Sequence, residues 1–113
     1  SAASSDYPLR DVYKRQHCNS LTPFSTGTET IYRDGKGFAN VVQQCGLYAM
    51  ERRDRGIKTE GQLGRRLAVL DFPQSALLEI GFISNREDRN RMLQVERRVA
   101  FAEALVRNLR KMP

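Results

Sequence analysis

The apolar run Ala76-Leu77-Leu78-Glu79-Ile80-Gly81-Phe82-Ile83 carries a single carboxylate at its centre and closes on Ser84-Asn85. So short and continuous a run predicts a strand covered on both faces, as in an α/β sheet flanked by helices. Burying a carboxylate in such a strand is costly unless the group is paired, protonated or put to use. In sheets of this kind ligands bind beyond the carboxyl ends of the strands, and Glu79 stands late in its strand. Desolvation there would weaken its acidity, which suits a general base working near neutrality. The alternative is a Glu paired with an Arg of a covering helix. Gly81, two residues on, would let backbone or substrate approach closely.

From His17 onward the order reads strand, helix, strand, strand, helix, helix. Thr28-Glu29-Thr30-Ile31-Tyr32-Arg33 is rich in β-branched and aromatic residues and stops at Asp34-Gly35, which predicts a strand. Phe38, Val41, Val42, Cys45, Tyr48 and Ala49 recur at helical spacing and predict an amphipathic helix over about 37–53, ending near Asp54-Arg55-Gly56. Leu67-Ala68-Val69-Leu70 and Ala76-Leu77-Leu78-Glu79-Ile80, separated by Asp71-Phe72-Pro73, suit neighbouring buried strands. Ser84 with Glu87 three residues later forms a capping box for a helix over about 85–93. Val95, Val99, Ala102, Leu105, Val106 and Leu109 then mark the apolar stripe of a long terminal helix.

Size and composition narrow the possibilities. A chain of 113 residues with 40% hydrophobic content suits one small domain or part of a larger one. It contains no apolar stretch long enough to span a membrane, and its first residues lack the charged and apolar blocks of a secretory signal. Two cysteines, Cys18 and Cys45, are too few for a disulfide framework or a structural zinc cluster, and Cys45 reads as a small core residue. The net charge of +6 favours an anionic partner or simply a soluble basic surface. No nucleic-acid motif is present, and aromatic residues do not interleave with the basic ones as stacking platforms would require.

Residues 1–16 show no period and little apolar content. Within them Asp11-Val12-Tyr13-Lys14-Arg15-Gln16 resembles the translated mosaic-end adaptor of transposase-based sequencing libraries, so this stretch is expected to be a non-native leader. Arg10, Lys14 and Arg15 against Asp6 and Asp11 leave it one positive charge, so the basic balance of the remainder survives its exclusion.

His17 is the sole histidine, in His17-Cys18-Asn19-Ser20. A lone His is usually a surface or satisfied core residue, because a catalytic metal wants about three protein ligands. Adjacent residues on a strand point to opposite faces, so His17 and Cys18 would be a poor pair for one ion.

Taken in order, four segments resemble the zinc-dependent N-acetylmuramoyl-L-alanine amidases that cleave peptidoglycan. They are His17-Cys18-Asn19-Ser20, Gly27-Thr28-Glu29-Thr30-Ile31-Tyr32, Arg55-Gly56-Ile57-Lys58, and Glu79-Ile80-Gly81-Phe82-Ile83-Ser84-Asn85. The resemblance covers about 17–110 and implies a three-layer α/β domain with a partly parallel, helix-covered sheet. Residues 17–113 would be the C-terminal part of an N-terminally truncated catalytic domain. It also implies that His17 is one of three ligands to Zn2+, that Glu79 is the catalytic carboxylate, and that Glu29 and Asn19 support the site. Glu29 reads equally as a solvated strand-edge residue, since alternation alone does not set its face.

A zinc ion with one open position acidifies water and polarises a carbonyl, and Glu79 would take the water's proton and pass it to the departing amine. The implied substrate is peptidoglycan or a muropeptide, and the implied location is extracellular, periplasmic or at the cell wall. The family's other two ligands, a His in a Gly-His-Gly-Gly-like turn and a downstream Glu, have no counterpart before His17. The 113-residue chain is therefore expected to be inactive alone. The competing reading is a non-enzymatic basic module that binds an anionic polymer through Arg52, Arg53, Arg97 and Arg98, with an affinity falling steeply with salt.

Overall fold

A computed structural model describes residues 25–64 and 66–112. The leader 1–16, together with His17, Cys18 and Asn19, lies outside the described residues. The elements run β1 (Thr28–Tyr32), α1 (Lys36–Met50), β2 (Asp54–Thr59), a 3-10 turn (Ala68–Asp71), β3 (Leu77–Glu79), α2 (Arg86–Met92) and α3 (Val95–Leu109). The three strands form a mixed sheet in the order β2-β1-β3, with β1 parallel to β2 and antiparallel to β3.

The alternation of β1 sorts its two faces. Thr28 and Thr30 turn toward α1, where Thr30 Oγ1 donates to Gln43 Oε1 at 2.8 Å. Gln43 Nε2 donates in turn to Thr28 O and Asp54 Oδ1, so one fully buried amide ties helix, central strand and β2 together. Such a group is tolerated inside because both ends of its amide are satisfied. Gly46 lets the helix lie close: a Cβ there would stand 3.1 Å from Thr28 and 3.2 Å from Leu78. On the opposite face Ile31 and Leu77 pack with Leu67 and Leu70, with Leu63 and Val69 alongside.

Several expectations are corrected. The run Leu67-Ala68-Val69-Leu70 is not a strand but leads into the 3-10 turn, whose i, i+3 spacing directs both Leu67 and Leu70 onto Ile31 and Leu77. The turn is held by polar partners from elsewhere: Leu67 N donates to Glu60 Oε2, and Arg33 Nη2 donates to Leu67 O. Arg33 also pairs with Glu60 and Asp71, and its contact holds the Glu60 carboxyl below its ordinary value.

The segment read as the end of a helix is strand β2, and α1 stops earlier, at Met50, with Glu51 in the left-handed conformation. Its polar sequence forms a strand because β1 supplies the hydrogen-bonding partner. β3 is only three residues long, with Leu77 buried but Leu78 and Glu79 half-buried, so it is not covered completely on both faces.

The N-cap of α2 is Asn85 rather than Ser84, and its side chain accepts from Asp88 N. In α3 the buried residue is Ala104, while Val95, Val99 and Val106 of the expected apolar stripe are exposed. The stripe is therefore rotated toward Ala104, and Asn108 reaches Cys45 on α1. Cys45 is buried as expected, and burial pushes its thiol above the ordinary value.

Candidate active site

Glu79 ends β3 and is the direct antiparallel partner of Glu29. Residues facing each other across an antiparallel pair share a face, with Cβ atoms about 5 Å apart, so the two carboxylates project on the same side of the sheet as Ile31 and Leu77. That face is apolar at one end and carboxylate-bearing at the other. Like charges directly opposite would be destabilising. The neighbouring strand supplies an opposite charge: Lys58 Nζ pairs with Glu29 Oε2 and also donates to Arg55 O at 2.8 Å. Glu29 is not a solvated edge residue, since its side chain is only 12% exposed.

A buried carboxylate holds the rim of this end of the sheet. Asp88, 1% exposed, accepts from Thr26 Oγ1 (2.6 Å), Gly27 N (3.0 Å), Phe82 N (3.0 Å) and Arg52 Nε (2.7 Å). The chain entering β1 and the chain leaving β3 are thereby joined to one side chain. Burial opposes ionisation of Asp88, but the bonds from Thr26, Arg52, Gly27 and Phe82 together outweigh it and keep the carboxyl below its ordinary value. Gly81 does have a neighbour at close range, but it is Asp88: a Cβ at Gly81 would stand 3.0 Å from the Asp88 Cβ. Sequence reasoning passed over Asp88, which looks like an ordinary polar residue in the first turn of a short helix.

Among the described residues no group of three or more His, Cys, Asp or Glu side chains is arranged to hold a metal ion. Glu29 is engaged by Lys58, and the sole histidine lies outside this part of the chain, so the described donors do not by themselves fit a zinc site. Of the arginines considered for polymer binding, Arg52 is spent on Asp88 and Arg97 on Glu51 and Ala49 O.

A model of the N-acetylmuramoyl-L-alanine amidases matches residues 9–111. The chain belongs to the N-acetylmuramoyl-L-alanine amidase family. An uncharacterized cell wall amidase of Bacillus anthracis is 28% identical over 107 residues, covering 84% of this chain and 20% of that protein. The amidase AmiC2 of Nostoc punctiforme superposes with a TM-score of 0.66 at 30% identity, over 80% of this chain and 50% of the other. The catalytic domain of the amidase CwlV from Bacillus (Paenibacillus) polymyxa var. colistinus gives 0.63 at 27% identity, over 75% and 47%. The chain thus spans about half of each of these amidase structures and a fifth of the Bacillus anthracis relative. No helix among the described residues is long and apolar enough to cross a membrane.

Proposed function

We propose that this protein is a peptidoglycan hydrolase that cleaves the amide between N-acetylmuramic acid and L-alanine. The observation that carries the proposal is the half-buried Glu79, held at the end of β3 opposite the Lys58-bound Glu29, in a chain whose family membership extends from residue 9 to residue 111. Glu79 is the general base: it accepts a proton from the attacking water and returns it to the amine that leaves with L-alanine. Glu29 and Lys58 hold the adjacent charge in place. His17 and Asn19 enter through the family resemblance alone. Zn2+ bound with His17 among its ligands would supply the positive charge that polarises the scissile carbonyl. An extracellular or cell-wall location accords with the substrate.

The test uses the full-length gene product with zinc and a soluble muropeptide. Glu79→Gln keeps the shape but loses the base, and turnover should fall about 100- to 10,000-fold with the fold intact. Normal turnover by that variant would remove Glu79 from the mechanism. A salt-sensitive polymer complex indifferent to Glu79 would favour the basic module instead.

A further inference from the structure

Five arginines among the described residues are half-buried: Arg33, Arg52, Arg55, Arg91 and Arg97. Four of them are answered by acceptors within the protein. Arg33 meets Glu60 and Asp71, Arg52 meets Asp88, Arg91 meets Glu87 and Met50 O, and Arg97 meets Glu51 and Ala49 O. Arg55 is the exception. Its Nε is buried and has no hydrogen-bond partner among the described residues. A cation taken partly out of water without an acceptor is unfavourable, and such groups are normally paired.

The surroundings of Arg55 are built rather than incidental. Its guanidinium lies over the ring of Phe82, 5.0 Å from the centroid. The stem of the side chain lies against Gly27, where a Cβ would stand 2.8 Å from Arg55 Cγ. The two walls of this slot, Gly27 and Phe82, are the two residues whose backbone N–H groups donate to Asp88. One buried carboxylate therefore ties together the two residues that flank the Arg55 side chain. The ring face attracts the cation but accepts none of the five N–H bonds a guanidinium can make.

The slot stands at the carboxylate-bearing end of the sheet. Phe82 follows Glu79 by three residues, the register of β1 with β2 shifts between Thr28 and Thr30 beside Arg55, and Lys58 links Arg55 O to Glu29.

We propose that Arg55 is a specificity-determining residue of the amidase cleft, its guanidinium taking a carboxylate on the peptide side of the substrate. A guanidinium over an aromatic ring keeps N–H groups that can meet a planar two-oxygen acceptor, and such a bond is charge-assisted. The arrangement suits a carboxylate better than a neutral amide, because an amide offers one acceptor and brings N–H donors toward a group that can only donate. This inference rests on the amidase reading and extends it to the choice of substrate.

The experiment measures binding by calorimetry to the full-length, zinc-loaded protein. The probe is a short peptide with L-alanine at its amino end, prepared with free carboxylates and with those carboxylates amidated. Wild-type protein should bind the carboxylate form about tenfold to a hundredfold more tightly, the range of a charge-assisted hydrogen bond. Arg55→Gln should abolish that difference while leaving affinity for the amide form unchanged. Arg55→Lys, which keeps the charge but not the planar fork, should retain a part of it and guards against a variant that does not fold.

Equal affinity of the wild type for both forms would overturn the proposal, as would undiminished discrimination by Arg55→Gln. Discrimination between the two peptides by a protein that does not hydrolyse the soluble muropeptide supports the carboxylate site and counts against the amidase reading. Hydrolysis of the muropeptide without discrimination between the peptides does the reverse.

Discussion

Truncating Asp88 to alanine removes four hydrogen bonds at once. The backbone N–H groups of Gly27 and Phe82 lose their acceptor at a buried and a half-buried position, and Arg52, whose side chain is 23% exposed, loses its counter-charge. Each buried donor left unsatisfied costs about 1–3 kcal/mol. Breaking one partner out of a buried ion pair costs about 3–5 kcal/mol in comparable cases. These ranges overlap in what they count, so the expected loss is about 4 kcal/mol, a large share of the roughly 5–15 kcal/mol that holds a domain together. With a urea dependence of about 2 kcal/mol per molar, the unfolding midpoint should fall by about 2 M.

Asp88→Asn keeps one acceptor oxygen and should cost about half as much. The sign with pH follows from the lowered carboxyl of Asp88. The folded value lies below the unfolded one of about 3.9, so its stabilisation is complete above that pH and drains away as the pH falls through the folded value. The stability gap between wild type and Asp88→Asn should therefore begin to close below about pH 4. Urea titrations followed by circular dichroism between pH 7 and pH 3 measure it. A loss below about 1 kcal/mol for the alanine variant, or a gap that widens on acidification, would refute the clamp.

Two further substitutions test the packing of α1 on the sheet. Gln43→Leu leaves the Thr30 hydroxyl and the Asp54 carboxylate without their buried partner and should destabilise by about 2–3 kcal/mol, read as a lower urea midpoint with an unchanged slope. Gly46→Val drives a branched side chain into Thr28 and Leu78 and should lower stability by about 1–3 kcal/mol, seen as a drop in the thermal midpoint; an unchanged midpoint would show that the helix can move away at no cost.

What the sequence by itself determined was local in origin. Strand β1, the bulk of helix α1 and the extent of α3 follow from β-branched content and from periodicity, both carried by neighbouring residues. The ordered segments around His17, Glu29, Arg55 and Glu79 together indicate the family, because each is a contiguous string. Glu79 was legible for a different reason: an acidic residue in an apolar run is anomalous before any partner is known.

Only the tertiary structure decided what those residues meet. Asp54–Thr59 has no apolar period and becomes a strand through pairing with β1, while the apolar run at 67–70 turns rather than extends because Glu60 and Arg33 hold its backbone. The facing of Glu29 and Glu79 across 50 residues of chain is a matter of register. So is the convergence of Thr26, Gly27, Phe82 and Arg52 on Asp88. Register and ion pairing are chosen by the free energy of the assembled sheet, a long-range quantity that no window along the chain contains.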